Sequence, residues 1–276
     1  MPTRDEHAQD GRLPDDAPAR HEPVQTRVAI TRLRRRVHIP RRVRGLISRA
    51  RLDALIDRVR LHIDAFPHGI YQPVDVLPVR TATRADGSVT RWAAMRGVVQ
   101  RLGVRSAIDV GSNAGYFSLK LGAMGIPTLA VDPEPAHVRT ASLAVRRSGL
   151  DNVGVLGLAL SADTADLFGP MDCVVFLSVW HHFVAWHGLD YATAMLSLLW
   201  DRTRKVMFFD TGENEMPGWF GLPAMEPDGR TWLTEYLSAL PGSRIEHLGT
   251  HAAFDAEGLP AERNLFAIIR TAPHEP

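Results

Sequence analysis

Residues of a kind and spacing to do chemistry fall in two places in this 276-residue chain. The first is the run Asp109-Val110-Gly111-Ser112-Asn113-Ala114-Gly115-Tyr116-Phe117, followed by Asp132 at βαβ spacing. An apolar, β-prone stretch enters a small-residue turn that opens directly into a helical pattern. Glycines let such a turn bend tightly and approach a ligand, and the helix start offers unpaired N–H groups. Asn113 stands where a second glycine would stand in G-x-G-x-x-G, and Asn tolerates the left-handed backbone. A carboxylate after the second strand, here Asp132, is suited to accept from ribose hydroxyls and repels a ribose phosphate. The second place is Ser178-Val179-Trp180-His181-His182, at the end of the apolar run Cys173–Leu177. Histidine titrates near neutrality, so a pair here is suited to proton transfer. Asp210 and Glu213 end a later apolar run and add carboxylates.

The wording Asp109-Val110-Gly111-Ser112-Asn113-Ala114-Gly115, then Ala130-Val131-Asp132-Pro133-Glu134, resembles motifs I and II of class I S-adenosylmethionine (SAM) methyltransferases. The stretch through Leu119 is similar to FkbM-type methyltransferases and to those that cap bacterial O-antigen glycans. Ser178-Val179-Trp180-His181-His182 resembles the Ser-Val-Phe-His-His of the glycan-capping group. No Ile-Asp-Val-Glu-Gly follows the fourth strand, so FkbM function is not implied. The resemblance implies SAM as cofactor, with Asp109, Gly111, Ser112, Asn113 and Gly115 at its methionine part and Asp132 at its ribose. Tyr116, Phe117, Pro133, Leu160, Ser161 and Ser178 would flank it. It further implies methyl transfer to a hydroxyl of a polar small molecule or saccharide, with His181 or His182 as general base. Tyr71, Arg91, Trp180, Asp210 and Glu213 are the expected acceptor-side residues, and Met216–Gly221 an aromatic loop over them. His181, His182, Asp210 and Glu213 also admit a divalent-metal reading, but the spacing lacks H-x-x-x-H and no metal is expected.

Elements that would position these groups alternate along residues 88–276. Strands are expected at Ser106–Val110, Thr128–Val131, Val153–Leu158, Asp172–Leu177, Lys205–Phe209, Arg244–Gly249 and Asn264–Arg270. Helices are expected at Gly115–Met124, Ala136–Ser148 (Pro135 at its start, Gly149 as C-cap), Tyr191–Trp200 and Thr231–Leu240, the last capped by Asp228. A further helix over Trp92–Leu102 precedes the first strand. The fold class is a Rossmann-like, seven-stranded, mostly parallel sheet with helices on both faces, its final strand pair joined by a long hairpin-like connection.

Composition bounds the rest. A 45% hydrophobic chain of this length buries one large α/β core with a smaller appendage. Formal net charge is +1, so the whole chain is no polyelectrolyte. The lone Cys173 excludes an intramolecular disulfide, and with no apolar run long enough to span a bilayer and no signal-peptide pattern the expectation is cytoplasmic. Residues 1–26 are polar and Pro-bearing, expected as a disordered tail. Residues 27–87 are expected to form a basic helical extension or lid. They hold the cluster Arg32, Arg34, Arg35, Arg36, Arg41, Arg42, Arg44 and an amphipathic helix over Leu46–Ile63 expected to dock its apolar stripe on the core. The Arg cluster is a candidate site for an anionic partner. It leaves an RNA methyltransferase as the alternative enzyme reading, and a non-catalytic SAM-binding module as the alternative outside enzymes.

Overall fold

The computed structural model describes residues 55–59, 72–77, 86–255 and 257–271. The expected tail over 1–26, the Arg32–Arg44 cluster and Tyr71 lie outside the described residues. Residues 55–59 are helical, with Leu55 and Val59 about half exposed; the rest of the amphipathic helix expected over Leu46–Ile63 lies outside the described residues.

From residue 86 the elements run α1 (Asp86–Arg101), β1 (Ala107–Val110), α2 (Tyr116–Gly122), β2 (Thr128–Asp132), α3 (Pro135–Ser148), β3 (Val153–Gly157) and the short α4 (Ala162–Ala165). Then come β4 (Met171–Leu177), α5 (Trp180–His187), α6 (Leu189–Asp201), β5 (Thr203–Asp210), a 3-10 turn (Gly218–Phe220), α7 (Gly229–Ser238), β6 (Ser243–Phe254) and β7 (Pro260–Arg270). The strands make one seven-stranded sheet in the order β3-β2-β1-β4-β5-β7-β6. Pairings are parallel from β3 through β5, and β7 is antiparallel to both neighbours.

Period-2 alternation sends side chains to opposite faces, and both faces are covered. Val174 and Phe176 of β4, Met207 and Phe209 of β5, and Phe266 and Ile268 of β7 pack with α5, α6 and α7. Cys173 and Val175, Val206 and Phe208, and Leu265 and Ala267 pack with α1 and α2. The central strands therefore read as continuous apolar runs, which is why they were legible.

Local signals act as expected at several ends. Gly149 closes α3 in the left-handed conformation, and Pro135 opens it. Asp228 accepts the Thr231 N–H at 2.8 Å and caps α7. Two boundaries differ. His181 and His182 lie in the first turn of a real helix, α5, and not in a loop; its start at Val179 carries no side-chain cap, so no capping signal marks it. The final hairpin is also longer. A bulge between His247 and Thr250, with Gly249 at φ 106, shifts the register, and β6 continues beyond it to Phe254. The irregularity read as an end is a bend within the strand. The connection to β7 therefore shrinks to residues 255–259, and the hairpin reaches beyond the sheet's core.

Candidate active site

Strand order reverses between β1 and β4, which are neighbours although β2 and β3 intervene in sequence. Ligands of open α/β sheets bind outside the carboxyl ends at such a switch point. There the Gly111–Gly115 turn after β1 meets the Ser178–His182 segment after β4, around a cleft of ≈ 440 Å³. That size falls within the ~300–1,000 Å³ typical of small-molecule sites.

The turn owes its shape to backbone conformations that most residues avoid. Gly111 (φ 73), Asn113 (φ 51) and Gly115 (φ 83) are all left-handed. Gly111 also allows a close approach, since a Cβ on it would lie 2.4 Å from Val179 Cγ2. The N–H groups of Gly111 and Ser112 both donate to Val131 O, at 2.8 and 3.0 Å, tying the turn to β2. Gly111, Asn113 and Phe117 face the cleft. Ser112 Oγ is buried in the turn and has no hydrogen-bond partner among the described residues. Such a group suits a ligand's polar atoms.

Asp132 ends β2 with its carboxylate nearly filled. Oδ2 accepts the Asn113 N–H at 2.8 Å; Oδ1 accepts the Glu134 N–H at 2.9 Å and faces His137 Nδ1 at 3.1 Å. Burial opposes its ionisation, but these hydrogen bonds outweigh burial and hold the carboxyl below its ordinary range. Asp109 has a different task from the one expected. It is buried and accepts both the hydroxyl (2.6 Å) and the N–H (3.1 Å) of Ser118, so it anchors the first turn of α2 and does not face the cleft. Burial, only partly offset by Ser118 and reinforced by Asp132, pushes its carboxyl up to about 6.

On the β4 side, Ser178 is left-handed at φ 57, a conformation that costs about 1–2 kcal/mol outside glycine. Two bonds to Asp210 hold it there: Ser178 N–H to Asp210 O at 3.1 Å and Ser178 Oγ to Asp210 Oδ1 at 2.8 Å. Arg91 from α1 completes the arrangement, with Nε 2.7 Å from Asp210 Oδ2 and both side chains buried. This bend aims the two histidines into the cleft, with ring centroids 4.3 Å apart.

Their chemistry differs. His181 Nδ1 accepts the Gly212 N–H at 2.9 Å and lies 3.2 Å from Thr211 Oγ1. A backbone N–H can only donate, so neutral His181 carries its proton on Nε2. Burial, with smaller contributions from His182 and Arg263, keeps it neutral well below the ordinary imidazole range. Neither nitrogen of His182 has a hydrogen-bond partner among the described residues. Its ring stacks on Trp186 at 5.3 Å and 26°. Burial and then the Arg263 charge lower its proton affinity.

Several expected acceptor residues are placed elsewhere. Trp180 is fully buried and packs edge-on against Phe209 and Tyr236, because its side of α5 faces the sheet. Asp210 is engaged by Arg91 and Ser178 and has no exposed surface. Glu213 is clasped by Asn264, whose N–H and Nδ2 donate to it at 2.7 to 3.1 Å. Of the expected cofactor residues, Ser112, Gly115, Tyr116, Asp132, Pro133, Leu160 and Ser161 do not line this cleft; Asp132 is buried behind the turn, Ser161 caps α4 and Leu160 joins the core. Tyr116 is buried edge-on against Phe117. Among the described residues no three His, Cys, Asp or Glu side chains gather to hold a metal.

Other cleft residues were not singled out from sequence. Gln72 Oε1 accepts the Tyr116 N–H at 3.0 Å, so the expected lid segment touches the start of α2 through Gln72. The extended β6–β7 hairpin brings in Phe254, Asp255 and Arg263. Arg263 is buried, with Nε 2.9 Å from Glu215 Oε1 and Nη2 donating to Phe254 O at 2.8 Å. The only sequence signal was a charged pair, Glu262-Arg263, just before an apolar run. The 3-10 turn contributes Trp219 and Phe220, stacked at 4.0 Å, as the aromatic-loop reading expects.

The sheet, with the glycine turn and the switch-point cleft on it, has a Rossmann-like methyltransferase fold. No family model matches the chain. Over 131 residues it is 28% identical to the Escherichia coli O-antigen chain terminator bifunctional methyltransferase/kinase WbdD, a match covering 47% of this chain and 18% of WbdD. The chain thus matches less than a fifth of that relative's length. A crystal structure of WbdD aligns with a TM-score of 0.57 at 20% identity, over 76% of this chain and 46% of that one. EvdMO1 aligns with a TM-score of 0.52 at 15% identity, over 79% and 48%. Among the described residues no helix is long and apolar enough to cross a membrane.

Proposed function

We propose that the chain is a SAM-dependent O-methyltransferase whose acceptor is a hydroxyl of a polar small molecule or saccharide, with His182 as general base. The observation that carries this is the cleft itself, with the glycine turn on one wall and, on the other, a histidine whose neutral form is favoured and whose nitrogens have no hydrogen-bond partner among the described residues. When bound, SAM supplies a methyl group on a positively charged sulfur, which keeps the bonding electron pair and leaves as a neutral thioether. Gly111, Ser112 and Asn113 would hold its methionine part, and Asp132 a ribose hydroxyl. His182 takes the acceptor's proton as the oxygen forms its new bond to carbon, so charge balances on imidazolium. His181, with Nδ1 occupied, donates from Nε2 and orients the acceptor. Trp219, 70% exposed, offers a flat face at the cleft, and Trp186, 60% exposed, stacks on His182 beside it; such faces suit the C–H face of a sugar ring. The resemblance to an O-antigen chain terminator supports the saccharide reading, and the lone cysteine a cytoplasmic place.

The test supplies radiolabelled SAM and fractionated cell extract to the protein, following label into polysaccharide and small-molecule fractions. Wild type transfers label, and His182→Ala lowers the rate by about 10²–10⁴ while SAM affinity stays within about threefold. Loss of transfer in His181→Ala but not in His182→Ala would reverse the assignment. Transfer by neither the wild type nor any variant would favour a binding module.

A further inference from the structure

His137 lies in the first turn of α3, outside every role assigned above, yet it joins the two loops that hold the cofactor on this reading. Its protonation pattern follows from donor and acceptor types alone. Asn113 Oδ1 accepts the Ala114 N–H at 2.8 Å, so its Nδ2 is the group turned toward His137 Nε2, at 3.1 Å. An amide nitrogen can only donate, so Nε2 accepts and Nδ1 carries the proton. Nδ1 then donates to Asp132 Oδ1 at 3.1 Å. A chain of bonds thus runs from the Ala114 N–H through Asn113 and His137 to Asp132, linking the turn after β1 with the acid ending β2. With the Glu134 N–H also on Oδ1, that oxygen is filled. Only Oδ2, which already accepts the Asn113 N–H, keeps a lone pair for a ribose hydroxyl.

We infer that His137 is a positioning residue of the cofactor site: it fixes the Asp132 carboxylate by filling Oδ1, so that Oδ2 is the oxygen with a lone pair to offer, and it fixes the left-handed Asn113 turn against that carboxylate. The inference rests on the cofactor reading above. Glutamine can replace both bonds, since one side-chain amide donates and accepts, whereas alanine and leucine replace neither. Asn113→Gly keeps the left-handed backbone while removing the side chain's bonds to His137 and to the Ala114 N–H.

Calorimetric binding of S-adenosylhomocysteine to the full chain tests it. His137→Ala and His137→Leu bind about tenfold more weakly than wild type, and His137→Gln within about threefold. In a cycle with Asn113→Gly, the double variant is weaker than the weaker single variant by no more than about twofold. Equal affinity of wild type, His137→Ala and His137→Leu overturns the inference, as does full additivity with Asn113→Gly. A wild-type chain that binds neither SAM nor S-adenosylhomocysteine overturns the cofactor reading instead, which keeps the two failures distinct.

Discussion

Replacing Gly111 with alanine probes the joint between the two halves of the site. The residue is left-handed at φ 73, where an L side chain costs about 1–2 kcal/mol. The added methyl would also sit 2.4 Å from Val179 Cγ2, against about 3.5–4.0 Å for carbon atoms in contact. Valine is stiff at χ1, and Val179 immediately precedes α5, so the methyl cannot swing aside without moving the start of the histidine helix. Overpacking of this kind costs about 1–3 kcal/mol, giving about 2–5 kcal/mol for Gly111→Ala in all. Val179→Ala alone should cost about 1–2 kcal/mol. Combined with Gly111→Ala it removes the collision but not the backbone strain. The double variant should therefore be more stable than the sum of the singles predicts, by about 1–3 kcal/mol. Urea unfolding followed by circular dichroism measures all four corners of the cycle. Additivity within about 0.5 kcal/mol would refute the reasoning, because it would mean that Val179 does not feel the new methyl.

Asp109 predicts a pH dependence of stability. Its folded carboxyl is raised from 3.8 to about 6, chiefly by burial, so the folded state binds the proton more tightly than the unfolded chain does. The resulting stabilisation is complete below the lower value and disappears as pH rises through the higher one. Wild type should lose ~3 kcal/mol relative to Asp109→Asn between about pH 3 and 7, seen as diverging urea midpoints; a constant gap would contradict this. Arg263 predicts a pH dependence of rate. Burial, and then the Arg263 charge, favour neutral His182, so the acid limb of kcat/KM lies below the ordinary 6.5. Arg263→Gln moves that limb upward while Arg263→Lys leaves it nearly in place; coincident limbs in wild type and Arg263→Gln would show that the charge is not felt.

Much of the scaffold is local, and so it was readable. Strands β1, β4 and β5 are apolar on both faces because helices cover both, and such runs need no partner to be recognised. The glycine turn was readable for a related reason: Gly111, Asn113 and Gly115 are demanded by backbone angles that few residues adopt. Asp132 followed from its distance along the chain. The His181-His182 pair was visible as chemistry, but the difference between the surroundings of the two rings was not. It depends on Gly212, some thirty residues away in sequence, whose N–H occupies Nδ1 of His181, whereas the His182 ring stacks on Trp186 and has no hydrogen-bond partner among the described residues.

What tertiary structure alone decided are the pairings of charge. From the sequence, Asp109, Asp210 and Glu213 are interchangeable carboxylates near strand ends. Folding commits them to Ser118, Arg91 and Asn264, and each is thereby removed from the cleft. Arg263 moves the opposite way, from an unremarked strand start into the site, because a bulge at Gly249 lets the last hairpin run past the sheet. The physical reason is common to all four. Local sequence sets backbone preference and apolar periodicity over a few residues, whereas a buried charge is placed by whichever partner the fold brings within about 3 Å of it.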